Sequence, residues 1–177
     1  TITANIGQKS FEIISLREDV DTDGRHAKVK YTTDWLQDSS RRDFTINSIY
    51  ADKDGNLFDP NGGVKHLEEG SVTFIGDPNK RIQEDYLRIL RYVRFFLNYS
   101  NQPHNLSVQK SIRQNIAGIA NLSKERLMSE LKKIILSKNF LQISKDIFSV
   151  EILKTIFPQL IYLQNLENIN DFSKKIF

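Results

Sequence analysis

Residues Arg81 to Phe96 read R-I-Q-E-D-Y-L-R-I-L-R-Y-V-R-F-F, two acids and four arginines laid over a continuous helical pattern. At about 100° per residue, Tyr86, Ile89, Leu90, Val93, Phe96 and Leu97 fall on one stripe, which predicts a single helix with a core-facing side. The opposite side carries Glu84, Asp85, Arg88, Arg91 and Arg94. Tyr92 and Phe95 project among those charges, so the polar side is expected to be covered too. Asp85 and Arg88, three apart, are predicted to point the same way. One offers two acceptors and the other a planar fork of donors, the groups needed to read hydrogen-bonding edges.

Before this stretch the pattern is that of an α/β unit; after it, the pattern is helical throughout. The 177 residues suffice for one ordinary domain or two small packed units. A formal charge of +3 is compatible with a nucleotide or nucleic-acid partner without requiring one. The absence of cysteine excludes a disulfide framework and a thiolate metal site, and it fits a cytoplasmic setting. His26, His66 and His104 have no ligand spacing and read as ordinary polar residues. No run is long and apolar enough to span a bilayer, and no signal pattern opens the chain, so no membrane partner is expected. Thr1 begins in mid-pattern, which suggests that residues precede it.

Taken in order, Phe11 to Leu16 is predicted as a strand, with Glu12 among apolar neighbours. Glu12 reads either as a strand-end carboxylate reaching solvent or as a metal ligand on a sheet. Arg17 to Ala27 is dense in charge around Gly24 and reads as a mobile loop, followed by a strand at Lys28 to Thr32. Asp38 to Asn47, D-S-S-R-R-D-F-T-I-N, is predicted as a helix start capped by Ser39 or Ser40. Arg41 and Arg42 would then sit at the positive end of a helix dipole, which is tolerable if they meet phosphate or carboxylates. A salt-bridged surface turn is the other reading.

Asp54-Gly55 predicts a hairpin between Ile49-Tyr50 and Leu57-Phe58. Asp59-Pro60-Asn61-Gly62-Gly63 predicts a tight turn into a short helix at Val64 to Glu69, its glycines serving either the turn or a close ligand approach. Val72 to Ile75 reads as a strand. Asp77 and Pro78 form a helix cap, as does Ser123 ahead of S-K-E-R-L-M-S-E-L-K-K-I-I. A helix is expected to start near Ser107, and apolar helices from Asn139 to Tyr162 are interrupted at Pro158.

The blocks R-R-D-F-T-I-N at Arg41 to Asn47, D-P-N-G-G at Asp59 to Gly63, G-D-P at Gly76 to Pro78, R-I-Q-E-D-Y-L-R-I-L-R at Arg81 to Arg91, and S-K-E-R-L-M-S-E-L at Ser123 to Leu131 occur in that order. Together they resemble the bacterial tRNA nucleotidyltransferase and poly(A) polymerase family, the class II CCA-adding enzymes, over roughly Phe11 to Leu136. The resemblance implies an α+β fold. An incomplete nucleotidyltransferase head at residues 1–70, a small mixed sheet with helices, would precede an all-α neck at 71–138 and the start of a helical body at 139–177.

It also implies roles. Arg41, Arg42 and Asp43 match the block that contacts the sugar and phosphates of the incoming nucleotide, and Asn47 closes that block in support. Glu84, Asp85, Arg88 and Arg91 match a protein template in which Asp85 and Arg88 pair with the base edges of CTP and ATP. Arg126 matches the neck block that supports the template. Asp19 to His26 resembles the family's flexible loop, and Glu12 lies where the family often has a third carboxylate near its Mg²⁺ ions. CTP, ATP and a tRNA 3′ end are the implied partners.

Two departures stand out. His66 precedes Leu67 where the family usually has an aspartate, which puts that acid's role in doubt. The family's Gly-Gly and Arg-Asp turn, with the Asp-x-Asp pair that holds the metals, precedes all five blocks and is missing from these 177 residues. Two metal ions could not be positioned by Glu12 alone. The chain by itself is therefore expected to be inactive, unless a separate chain supplies that motif. Other readings of the same blocks are a poly(A) polymerase segment and a non-catalytic nucleotide- or tRNA-binding remnant.

Overall fold

Four strands open the computed structural model, which describes residues 2–22 and 27–166, and from residue 63 onward its elements are helical. β1 (Ile2–Ile6) and β2 (Lys9–Ile13) form an antiparallel hairpin whose two-residue turn places Gly7 at a φ of 60°, the left-handed geometry that tight hairpins need. The predicted strand is thus shifted: Glu12 belongs to it, but Ile14 to Leu16 do not. β3 (Arg17–Thr22) pairs antiparallel with β4 (Ala27–Tyr31). The stretch read as a mobile loop is therefore strand up to Thr22, because cross-strand bonding satisfies a backbone whose local sequence advertises only charge. Asp23 to His26, the second half of that expected flexible loop, lies outside the described residues.

α1 (Trp35–Ser40) is capped by Asp34, which accepts from the Leu36 amide. This overturns the predicted helix start: Ser39 and Ser40 lie in the last turn, where their hydroxyls donate to the Leu36 and Gln37 carbonyls. Arg41 and Arg42 consequently follow the negative end of the helix, where cations are favoured. A 3₁₀ turn (Thr45–Asn47) leads to the hairpin of β5 (Tyr50–Ala51) and β6 (Leu57–Phe58) around Asp54-Gly55. α2 (Gly63–Glu68) begins where the Asp59 carboxylate accepts from the Gly63 and Val64 amides. A Cβ on Gly63 would stand 2.2 Å from the Thr45 carbonyl oxygen, so this glycine serves backbone packing. His66 Nδ1 bonds the Thr45 hydroxyl at 2.9 Å across the same contact.

Val72 to Ile75 makes a single bridge, Phe74 opposite Phe44, instead of a strand. α3 (Pro78–Glu84), α4 (Arg88–Tyr99), α5 (Leu106–Asn115), α6 (Lys124–Ile135) and α7 (Ile147–Ile156) complete the order. The caps at Asp77 and Ser123 stand as predicted. α5 starts at Leu106 because Asn105, not Ser107, accepts from the first turn.

The core joins the two halves. Phe44, Ile82, Ile89, Leu90, Val93, Ile112, Ile134 and Leu153 are all fully buried, each contributing about 1.5–3 kcal/mol. The polar side of α4 is covered as expected. Tyr92 stacks on Phe74 with ring centroids 5.8 Å apart, and Phe95 lies 5.0 Å from Phe44. Two buried polar links tie α4 to the later helices. Arg94 pairs with Glu130 of α6 at 2.5 Å, and the Tyr92 hydroxyl meets His104, whose other ring nitrogen meets Asp146, the cap of α7.

Candidate functional site

The predicted single helix is two. Asp85 adopts an extended conformation (φ −153°, ψ 105°) and separates α3 from α4. Its own chemistry accounts for the break, since Asp side chains compete with helical hydrogen bonding: Asp85 Oδ1 accepts from the Leu87 amide and the Asp85 carbonyl accepts from Arg88 N. The interruption frees the Arg81 carbonyl, and Arg88 Nη1 donates to it at 2.6 Å. Periodicity could not show this, because the apolar stripe resumes after the break.

Asp85 and Arg88 therefore do not share one helix face. Both Asp85 oxygens accept from Arg126 Nη2, at 3.1 and 2.9 Å. Arg88 is buried and donates through Nε to Asp43 at 2.8 Å and through Nη1 to Glu84 at 2.6 Å. Burial works against its charge, and the bonds to Glu84 and the charge of Asp43 outweigh that effect, holding the guanidinium charged. Its Nη2 donates to no described group. Arg91 pairs with the second Asp43 oxygen at 2.5 Å. Asp43 thus ties the segment after α1 to the first turns of α4.

A second node sits beside the first. Asp38 is fully buried and accepts from Arg41, Arg42, the Tyr50 hydroxyl and the Arg17 amide. Burial would raise its pKa, but the bonds from Arg42, Tyr50, Arg41 and the Arg17 backbone prevail and lower it to about 2. Arg81 links the nodes, donating to the Arg42 carbonyl at 2.6 Å and pairing with Glu84. Across them, Asp38, Asp43 and Glu84 hold Arg41, Arg42, Arg81, Arg88 and Arg91. Such a cluster gathers five guanidinium groups in one place.

Asp38 and Glu130 were not singled out in the sequence. Asp38 does carry a signal, because D-x-x-R-R puts both arginines one helical turn away. Glu130 lies in a helix rich in charge, and nothing local marks it as buried. Asn47 accepts from the Phe44 amide and so shapes the 3₁₀ turn. Glu12 stands exposed on β2 opposite Thr3, away from both nodes in the hydrogen-bond network. Among the described residues, no three of His, Cys, Asp and Glu converge as metal ligands. The residues described thus do not fit the two-metal centre implied by the sequence blocks. No described helix is long and apolar enough to cross a membrane.

Two family descriptions match: "Poly A polymerase head domain" over residues 1–73 and "Probable RNA and SrmB- binding site of polymerase A" over residues 106–163. The chain is 42% identical over 182 residues to the human mitochondrial CCA tRNA nucleotidyltransferase 1, a match that covers 99% of this chain and 42% of that protein. It is 38% identical over 120 residues to the CCA-adding enzyme of Staphylococcus haemolyticus, covering 67% of this chain and 29% of that one. The fold superposes on the Bacillus stearothermophilus CCA-adding enzyme in complex with CTP, with a TM-score of 0.69 and 26% identity. That superposition covers 86% of this chain and 35% of the other. The chain belongs to the CCA tRNA nucleotidyltransferase and poly(A) polymerase family, and it spans less than half the length of these relatives.

Proposed function

We propose that this chain supplies nucleotide selection to an enzyme that adds C, C and A to tRNA 3′ ends from CTP and ATP. The observation that carries the reading is the junction between Asp43 and α4, where Arg88 is clamped by Asp43, Glu84 and the Arg81 carbonyl yet keeps Nη2 unengaged. Asp85 Oδ2 accepts one bond, from Arg126, and retains further acceptor capacity. A clamped donor and a neighbouring acceptor fit the edges of cytosine and adenine, each of which presents an exocyclic amino donor beside a ring-nitrogen acceptor. Uracil and guanine present a carbonyl at the amino position and are mismatched. A guanidinium held as firmly as that of Arg88 reads an edge without rearranging.

The gathered guanidinium groups suit a triphosphate. Arg41, Arg42 and Asp43 would face its phosphates and sugar, and Glu84, Arg91 and Arg126 would hold the template. The division into head (1–70), neck (71–138) and body start (139–177) is part of the same proposal, as are Mg²⁺ for the complete enzyme, a tRNA 3′ end as acceptor, and a cytoplasmic site of action. A mitochondrial relative makes the compartment an open test by fractionation.

Transfer assays on an enzyme completed with the missing Gly-Gly and Asp-x-Asp turn test the reading. Asp85→Ala or Arg88→Ala is expected to lower discrimination among nucleotides more than total transfer; equal loss for all four would overturn the template. Incorporation of CMP as well as AMP separates CCA addition from poly(A) synthesis. Purified chain alone is expected to incorporate no CMP into tRNA ending before CCA, and detectable incorporation would contradict that.

A further inference from the structure

Tyr86 lies in the break between α3 and α4, directly after Asp85, and its ring rests on Gly118 in the 3₁₀ segment Ile116–Asn121. A Cβ built on Gly118 would stand 2.1 Å from Tyr86 Cε1 and 2.3 Å from Cδ1. No side chain at position 118 is compatible with the ring in this seat. The requirement is steric, since Gly118 is not among the glycines with positive φ. The same segment runs on through Ser123 into α6, whose Arg126 grips Asp85. Residues 118–126 thus hold the break at two points, by packing under Tyr86 and by charge on Asp85.

The two template groups are fixed to different degrees. Arg88 is buried among three acceptors. Asp85 is partly exposed, and its side chain is held by the Leu87 amide and the half-exposed Arg126. An exposed ion pair fixes a carboxylate weakly, so the packed ring next to it in the chain must supply most of its placement. We infer that Gly118 and Tyr86 form a positioning seat that sets where the Asp85 carboxylate stands relative to Arg88, and thereby tunes the choice of base. The inference rests on the template reading above.

The test is titration of the 177-residue chain with CTP, ATP, UTP and GTP. The readout is the fluorescence of Trp35, the single tryptophan, which stacks on Tyr50 with ring centroids 5.6 Å apart beside the Asp38 node. Gly118→Ala and Tyr86→Ala are each expected to lower the CTP-to-UTP affinity ratio roughly tenfold, the scale of a sub-ångström displacement, while Tyr86→Phe keeps the ratio of the parent. If Gly118→Ala does not fold, Tyr86→Ala, which truncates a half-buried ring, carries the test. Weakening of all four nucleotides by one factor would mean a merely structural contact and overturn the seat. Asp85→Asn is run beside them. If it changes the ratio while the seat variants do not, the seat fails and the template survives. If it leaves the ratio unchanged, or the parent chain binds no nucleotide, the template reading fails and takes the seat with it.

Discussion

The β1–β2 hairpin and helix α4 both carry apolar residues at regular spacing and use them in opposite ways. Ile2, Ile6 and Ile13 of the hairpin are 69%, 70% and 57% exposed, whereas Ile89, Leu90 and Val93 of α4 are fully buried. The difference lies in what stands opposite. α4 is enclosed by α6, the Phe44 and Phe74 segments and the His104 link, while no residue of β1 or β2 belongs to the buried core. Apolar content alone therefore does not locate stability; a complementary surface does. The charges divide the same way, with Asp43 and Arg88 buried between elements and Asp85 and Arg126 paired in the open.

That contrast makes quantitative demands. Ile89→Ala should lower unfolding free energy in urea by about 3 kcal/mol through the cavity it leaves, whereas Ile6→Ala should change it by no more than about 0.5 kcal/mol. Equal costs would break the comparison. Asp43→Ala should cost about 3 kcal/mol because it strands Arg88 and Arg91 without their shared acceptor. Arg126→Ala, which opens an exposed pair, should cost no more than about 1 kcal/mol.

Acid sharpens the picture further. The Asp38 pKa is about 2 in the fold against an ordinary 3.8, so the stability it contributes is fully present above pH 3.8 and is lost as pH falls towards 2. The loss should be roughly 2 kcal/mol, read as a falling urea midpoint between pH 5 and pH 2 that flattens in Asp38→Asn. An unchanged pH dependence in that variant would remove Asp38 from the account.

Much of this was legible in the residues. Asp77-Pro78 and Ser123 announced their helices because a cap is a local hydrogen bond, and Asp54-Gly55 announced its hairpin because positive φ is a local demand. The covering of the polar side of α4 followed from Tyr92 and Phe95. The break at Asp85 was hidden because the apolar stripe resumes after it, and two of the groups that hold it, Arg126 and Gly118, lie more than thirty positions away. β3 was hidden because its pairing with β4 is not written in its own charges. The direction of α1 was misread because serine caps and serine-rich last turns look alike until Asp34 is seen accepting from Leu36. Arg41, Arg42, Asp43, Glu84, Arg88 and Arg91 were singled out in the sequence and Asp38 was not, and which acid holds which arginine was not legible. That assignment depends on contacts such as Arg88 to Asp43, across forty-five positions.

The central claim is that side chains at the break choose the base, and Asp85→Asn tests it most directly. This substitution keeps size and removes an exposed charge, turning one acceptor into a donor. Affinities for CTP, ATP, UTP and GTP, measured on parent and variant under one salt condition, should show the preference for CTP and ATP shifting towards UTP and GTP by about tenfold or more, the scale of one well-formed base-edge contact. A uniform change across all four nucleotides would contradict the claim.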